Sequence, residues 1–553
     1  MQRRHGDTVY SIPGNGLIPT ASASAALDAL AQPQNVPSDT APAPLDASSG
    51  IISDLMLKGA HGATFPPDAL AELADRMVDD VKKRDTSQPT VPLEDPQLDN
   101  PNVTAGYTYL GQFINHDLTF DPTQGLPPGD FTPQQIQQGR RPSLDLSCLY
   151  GTGPGTPSYR RLYETALPRF IVGKTFPTAA DDTPTEFSKP NDLPREGQGA
   201  QFPRRAVVAD SRNDDNLAVA QTHVAFLRFH NAVVDHINAD TPGLSFGQLF
   251  EAARREVVLC YQRIIRDDFL PKMVDPDVYQ EVKNNPLQFF RVTSPSDLFL
   301  PLEFASAAFR VGHSMVRNTY NWNRIFQPHD PSTPAADIAR LPQLFDFTGN
   351  GTMPPGFQTL PTTWIIDWRR FYDFSGVAAG PLPPPNASRM MDTRLALFLH
   401  SIPLRQDGKP VEQGGQQQRI NLVLLDLLAG NKQGLPALPS GQEAAQLLGV
   451  PLPLTAAEIA GGTDGDVLRK FGLDVQTPLW YYILKEAELR GGGEHLGPVG
   501  SRIVAETLFG IMRFSQPFSI LRGDENLPAF QKIIRMADLL NFALGQDINP
   551  LGD

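Results

Sequence analysis

The chain has 553 residues, with 47 Lys and Arg against 61 Asp and Glu, giving a formal net charge of −14. An acidic chain without a long basic run is a poor partner for nucleic acid, whose binding rests on neutralising phosphates. No apolar stretch approaches the roughly 20 residues that a membrane-spanning helix needs.

Residues 1–50, rich in Ala, Pro, Ser and Asp, read as a partly irregular N-terminal extension. Met1-Gln2-Arg3-Arg4 is followed by polar residues, so no ordinary signal peptide is visible, which leaves a cytoplasmic protein or export by another route. From residue 51 to 553 no internal repeat or strong linker divides the chain, and it reads as one large, mainly α domain with a core over about residues 90–520. Three-to-four spacing of apolar residues predicts helices over 215–238, 244–265, 303–318, 389–401, 416–430, 476–490 and 498–513. Fifty-three prolines and 45 glycines predict long irregular connections and little β structure, with the clearest breaks at 120–142, 174–205, 325–362 and Pro381–Asn386. Cys148 and Cys260 sit in apolar surroundings and read as two buried thiols rather than a disulfide.

The first chemistry-bearing motif is Gly111-Gln112-Phe113-Ile114-Asn115-His116-Asp117. Asn102 is suited to capping, and Val103, Tyr107 and Leu110 follow at helical spacing, which puts the motif on the last turns of a helix. There Gln112 and His116 share a face, while Asp117, about 100° further round, serves a neighbouring site. Taken alone, the stretch reads as a half-buried core imidazole. Two distant segments change that reading. Asp210-Ser211-Arg212-Asn213-Asp214-Asp215-Asn216 leads into an apolar helix, with Arg212 at its head. Ala308-Phe309-Arg310-Val311-Gly312-His313-Ser314 offers a second His, with Arg310 one turn before it.

On these three segments the chain resembles the animal-type haem peroxidase superfamily, the group of myeloperoxidase, lactoperoxidase and the cyclooxygenases, in a bacterial-looking version. Leu144–Gly151, Leu438-Pro439-Ser440-Gly441-Gln442 and Leu496-Gly497-Pro498-Val499-Gly500 follow in matching order. The resemblance implies haem b and a peroxidase that reduces hydrogen peroxide and oxidises small organic donors or halides through a ferryl intermediate. It implies that His313 is the proximal iron ligand, His116 the distal acid–base group, Arg212 the distal cation and Gln112 a hydrogen-bonding neighbour. Arg310 would pair with a haem propionate.

Calcium is the second implied cofactor, held by Asp117 with Asp145 and Ser147, and by Ser143 and Arg141 through their backbone carbonyls. Arg141 departs from the Thr often found there. Asn115 stands where mammalian members carry an ester-forming Asp, and an amide cannot make that bond directly. Asp215 stands at the second ester position, normally Glu, where its shorter arm leaves at most one link to haem. Asn216 replaces a sulfonium-forming Met of myeloperoxidase. Asp426 holds a place where the family commonly has Asn beside the proximal His, and a carboxylate there would make His313 a more electron-rich ligand.

Other readings exist. A fatty-acid dioxygenase of the same superfamily uses a Tyr three residues before the proximal His, a place that Arg310 takes here. A catalytically inert interaction protein would have no need of both His116 and Arg212. A non-haem metal site at His223 and His230 lacks the acidic partner at the spacing such helices favour, so both read as core histidines. Gly151–Gly155 and Gly491–Gly493 complete no phosphate-binding pattern and read as turns. Electron donor and oligomeric state are not written in the sequence.

Overall fold

A computed structural model describes residues 51–52, 55–78, 95–119, 137–138, 142–178, 187–328, 338–352, 357–378, 381–406, 409–413, 415–431, 437–523 and 530–552. The extension over residues 1–50 and Arg141 lie outside the described residues. The helices that build and brace the site are α1 (Pro67–Arg76), α2 (Gly106–Leu118), α3 (Leu217–Asp240), α4 (Phe246–Ile264), α5 (Pro276–Asn284), α6 (Leu422–Leu428), α7 (Leu479–Arg490), α8 (Pro498–Phe514) and α9 (Met536–Leu544). Strands among the described residues form short two-stranded ladders. In one of them, β1 (Asp99–Thr104) runs antiparallel to β2 (Ala387–Arg389), with Asp99 opposite Arg389, Thr104 opposite Ala387 and an irregularity between. The fold is mainly α with long irregular connections.

The helix ends follow from local chemistry. Asn216 caps α3 by accepting from the Val219 N–H at 3.0 Å, and Ser245 with Gln248 closes a capping box on α4. Pro498 opens α8, where its missing N–H costs nothing. The helix α2 starts later than its apolar spacing suggests, because Asn102 belongs to β1. Its first residue is Gly106, where a Cβ would come within 2.4 Å of the Tyr372 ring, so only glycine lets the helix start this close to residues 371–372.

Three expected helices are shorter than their periodicity. Residues 389–401 contain the end of β2 and a 3-10 turn at Leu397–His400. Backbone bonds there go outward, from Met391 N–H to Gly493 O at 2.7 Å and from Leu395 N–H to Met77 O at 2.7 Å, while Met391, Leu395 and Leu399 still bury their side chains. Arg419–Ile420 is a strand before α6. The stretch 303–318 breaks at Ala307 (φ −139°, ψ −73°) into a helix at Leu302–Ser306 and a 3-10 turn at Ala308–His313. Three residues per turn puts Arg310 and His313 on one edge.

This turn packs against α2, α7 and α8, and α6 packs against α1 and α7. The long helix α3 packs on α2, α4 and α9. Beyond α4 the helix continues through a π-helical segment, Ile265–Phe269, into Leu270–Met273. Such a widened turn shifts the register of side chains and is common near functional sites.

Candidate functional site

Residues of α2, the head of α3, the π segment and the Ala308–His313 turn line a largely apolar cavity with a few convergent polar groups, the make-up of small-molecule and cofactor sites. Gln112, Asn115, Asn216, Arg310 and His313 supply polar groups to its wall, and Phe269, Phe309, Met315 and Phe345 are among its apolar ones. The helix-capping Asn216 also donates to Gln112 Oε1 at 2.9 Å, so the N-terminus of α3 orients the Gln112 amide.

His313 stands on this wall with its side chain 19% exposed. Its Nδ1 donates to Asp426 Oδ2 at 2.5 Å, which leaves Nε2 as the nitrogen available to an iron. The other carboxylate oxygen of Asp426 is held by the Arg310 guanidinium, whose Nε also donates to Ala305 O at 3.1 Å. Arg310 is thus committed to Asp426 and to Ala305, and it also stands on the cavity wall. Asp426 itself is buried on α6 and does not line the cavity.

His116 and Arg212 do not line this cavity either. His116 is fully buried, with Nδ1 2.9 Å from Asn213 Oδ1. Asn213 Nδ2 in turn lies 2.9 Å from His223 Nδ1. An amide oxygen only accepts and an amide nitrogen only donates, so His116 carries its proton on Nδ1 and keeps its basic lone pair on Nε2. Asn213, adjacent to Arg212, is a positioning residue that sequence reasoning missed, since nothing in its spacing points to His116. Arg212 bonds Asp210 through Nε at 2.9 Å and through Nη2 at 2.5 Å, and also donates to His116 O at 2.9 Å and Thr119 O at 2.6 Å. The reason is electrostatic: the buried Asp210 needs a cation, and the C-terminal carbonyls of α2 favour one. Asp215 is buried and does not line the cavity, whereas its neighbour Asn216 does.

The other side of α2 makes the second constellation. Asp117 accepts from Leu146 N–H at 3.1 Å, Cys148 N–H at 3.2 Å and the Ser147 hydroxyl at 3.4 Å. Leu146 takes a left-handed conformation (φ 58°) that turns the loop around this carboxylate. Asp145 accepts from Ser147 N–H at 3.1 Å and faces Arg254 at 3.6 Å. Burial and the charge of Asp117 push the Tyr261 phenol well above its ordinary value. Ser143 exchanges hydrogen bonds with the Gln516 backbone at 3.3 Å. The oxygen donors are of the hard kind that calcium takes. Two carboxylates and a hydroxyl fall short of its usual six to eight ligands, so backbone carbonyls and water would have to complete the set.

His223 and His230 are core histidines in this fold. His230 is held by the Tyr150 hydroxyl at 3.1 Å and Pro168 O at 2.8 Å. Burial lowers His223 to about 3 and His230 to about 4. Both stay neutral in the folded chain while the unfolded chain protonates them near pH 6.5, so the unfolded state binds more protons between about pH 6.5 and 4 and stability falls as pH falls through that window. Each should cost about 2 kcal/mol of stability at pH 5, which urea unfolding at pH 7 and pH 5 will check.

Further residues reach the site without a sequence signal. The π segment places Phe269 on the cavity wall and Asp268 where it accepts from the Tyr107 hydroxyl at 2.8 Å, Lys272 at 2.7 Å and Met536 N–H at 2.9 Å. Tyr109, also on the wall, donates to the Tyr320 hydroxyl at 2.7 Å.

The animal haem peroxidase family matches over residues 129–346, a span that contains Arg212, Arg310 and His313. Over that span the chain is similar to the animal haem peroxidases. Among curated proteins similar to it, heme peroxidase 2 of Caenorhabditis elegans is 23% identical over 491 residues, covering 78% of this chain and 61% of that protein. Thyroid peroxidase of Rattus norvegicus is 26% identical over 201 residues, covering 36% of this chain. The match spans only 21% of that protein's length, and 30% of the length of thyroid peroxidase from Canis lupus familiaris. Among solved structures, peroxidase A from Dictyostelium discoideum superposes with a TM-score of 0.53 at 15% identity, covering 91% of this chain and 94% of that one. The fatty acid alpha-dioxygenase of Oryza sativa superposes with a TM-score of 0.56 at 14% identity, covering 91% and 88%. At these identities the structural likeness shows the fold. The Gln112–Asp117 motif and Asp426 lie outside the family match, so their assignment rests on the residues themselves. No helix among the described residues is long and apolar enough to cross a membrane.

Proposed function

We propose that this chain is a haem b peroxidase that reduces hydrogen peroxide and takes electrons from small organic donors or halides. The observation that carries the reading is His313: a half-buried imidazole on a largely apolar cavity wall, with one nitrogen held by a buried carboxylate and the other left for a metal. Neutral imidazole with a hydrogen-bonded second nitrogen is the usual proximal haem ligand. The bound group would supply the two-electron reduction of peroxide and the stepwise return of electrons from donors.

The protein's own part is proton handling and positioning. His116 is buried off the wall that His313 lines, so this role requires peroxide to reach its Nε2; there it would take a proton from the peroxide oxygen and give it to the departing oxygen, with Asn213 holding the tautomer. Arg212, bonded to the carbonyls of His116 and Thr119, would add fixed positive charge beside that helix end. The Gln112 amide, oriented by Asn216, would hydrogen-bond a small polar molecule in the cavity. Calcium, held by Asp117, Asp145 and Ser147 with carbonyl help from Ser143 and Arg141, would brace the far side of α2. Asn115 and Asn216 offer no ester chemistry, and Asp215 supports a single link only if it reaches the cavity. The test is the absorption spectrum of haem-loaded protein before and after one equivalent of hydrogen peroxide. The reading expects a rapid change in the Soret band; an unresponsive band overturns it.

A fatty-acid dioxygenase is the second reading, favoured by the apolar cavity and by the hydrogen-bonded pair Tyr109 and Tyr320 beside it. Peroxide-dependent oxygen uptake with a fatty acid, lost in Tyr109→Phe, would select it over the first.

A further inference from the structure

A second, smaller cavity lies beside Asp426, which does not line the cavity of His313. Ser306, Asp426 and Trp480 line it with the apolar Leu427, Leu438 and Leu479. Ser306 and Trp480 are each 2% exposed. Among the described residues neither Ser306 Oγ nor Trp480 Nε1 has a hydrogen-bonding partner in the protein, although both atoms are fully buried. Buried polar atoms in native proteins nearly always find a partner, and two orphans and a carboxylate around one small cavity call for a shared one.

We propose that this cavity binds an ordered water that accepts from the Trp480 N–H, exchanges a hydrogen bond with the Ser306 hydroxyl and donates to Asp426. The chemistry of the three groups selects water. An indole N–H is only a donor, which repels a metal cation, and the carboxylate is only an acceptor, which repels an anion. A hydroxyl suits either role, and the remaining wall is apolar and offers nothing to a larger polar molecule. Two to four polar partners are what a buried water requires. Asp426 has lone pairs to spare, since His313 and Arg310 engage one oxygen each.

The site has a consequence for His313, which rests on the haem reading above. Each donor that shares the charge of Asp426 weakens its pull on the Nδ1 proton of His313, so Trp480 and Ser306 act as positioning residues through the water. Removing either should leave more of the carboxylate's charge to the Nδ1–H of His313, making the imidazole more electron-rich and the iron midpoint potential lower.

The experiment has two arms. A crystal structure of the full chain should show solvent density within hydrogen-bonding distance of Ser306 Oγ and Trp480 Nε1; a parent structure without that density overturns the proposal. Redox titration of haem-loaded parent, Ser306→Ala and Trp480→Phe should show a lower midpoint potential in both variants. Ser306→Ala is the conservative change that keeps the test open if Trp480→Phe folds poorly. Density with unchanged potentials in the folded variants overturns the link to His313. If the parent takes up no haem, the haem reading fails, while the density still decides the water site.

Discussion

Haem-loaded His116→Ala protein is expected to react with hydrogen peroxide about 10²–10⁴-fold more slowly than the parent, the usual contribution of a positioned acid–base group. The helix α2 buries His116 completely and sets its Nδ1 against the amide oxygen of Asn213. The Asn213 amide nitrogen lies 2.9 Å from Nδ1 of His223, which burial keeps neutral and which accepts there in its Nε2–H tautomer. The chain His223–Asn213–His116 thus ends in a basic Nε2. Stopped-flow absorption at the Soret band measures the rate. A variant that reacts as fast as the parent would remove His116 from the mechanism. Asn213→Leu should give a smaller loss in the same direction, because His116 then samples both tautomers.

Asp426→Ala is expected to cost about 3–5 kcal/mol of folding stability, because it takes the buried carboxylate away from Arg310 and His313 together. Arg310 and Asp426 are 5% and 0% exposed at their side chains, so solvent cannot make up the loss. Asp426→Asn keeps one of the two acceptor oxygens, so one partner stays paired and the cost should be smaller. It also withdraws the charge that makes His313 electron-rich, so the iron midpoint potential of haem-loaded Asp426→Asn should rise. Urea unfolding and a redox titration check the two halves separately. Equal stability of the Ala variant and the parent would mean that the buried pair is not an energetic unit.

Much of the scaffold was legible in the chain because it rests on local rules. The patterns behind α3, α4, α7 and α8 are long, apolar on a three-to-four period and opened by Asn216, Ser245, Pro478 and Pro498. Residues 389–401 show the same period without forming a long helix, because their backbone groups find partners at Met77 and Gly493, a long-range choice that spacing does not record. The break at Ala307 was hidden for a related reason, since the residues of 303–318 keep a helical spacing and only tertiary packing interrupts them.

The site divides the same way. Asp117 turns to the Leu146–Cys148 loop while His116 turns to Asn213, a divergence that the step of about 100° between helical neighbours makes readable from position alone. The pairing of His313 with Asp426 spans 113 residues, and only the family resemblance suggested it. Asn213 carried no signal at all, because an amide earns its role from the two imidazoles that folding brings to either side of it.

The role of His313 is tested most directly by titrating haem into the parent and into His313→Ala while following the Soret band. The parent should bind one haem per chain and lose or sharply weaken that binding in the variant, whose fold can be checked by circular dichroism. A parent that takes up no haem, or a folded variant with the same affinity and the same spectrum, would contradict the assignment of His313 as the iron ligand.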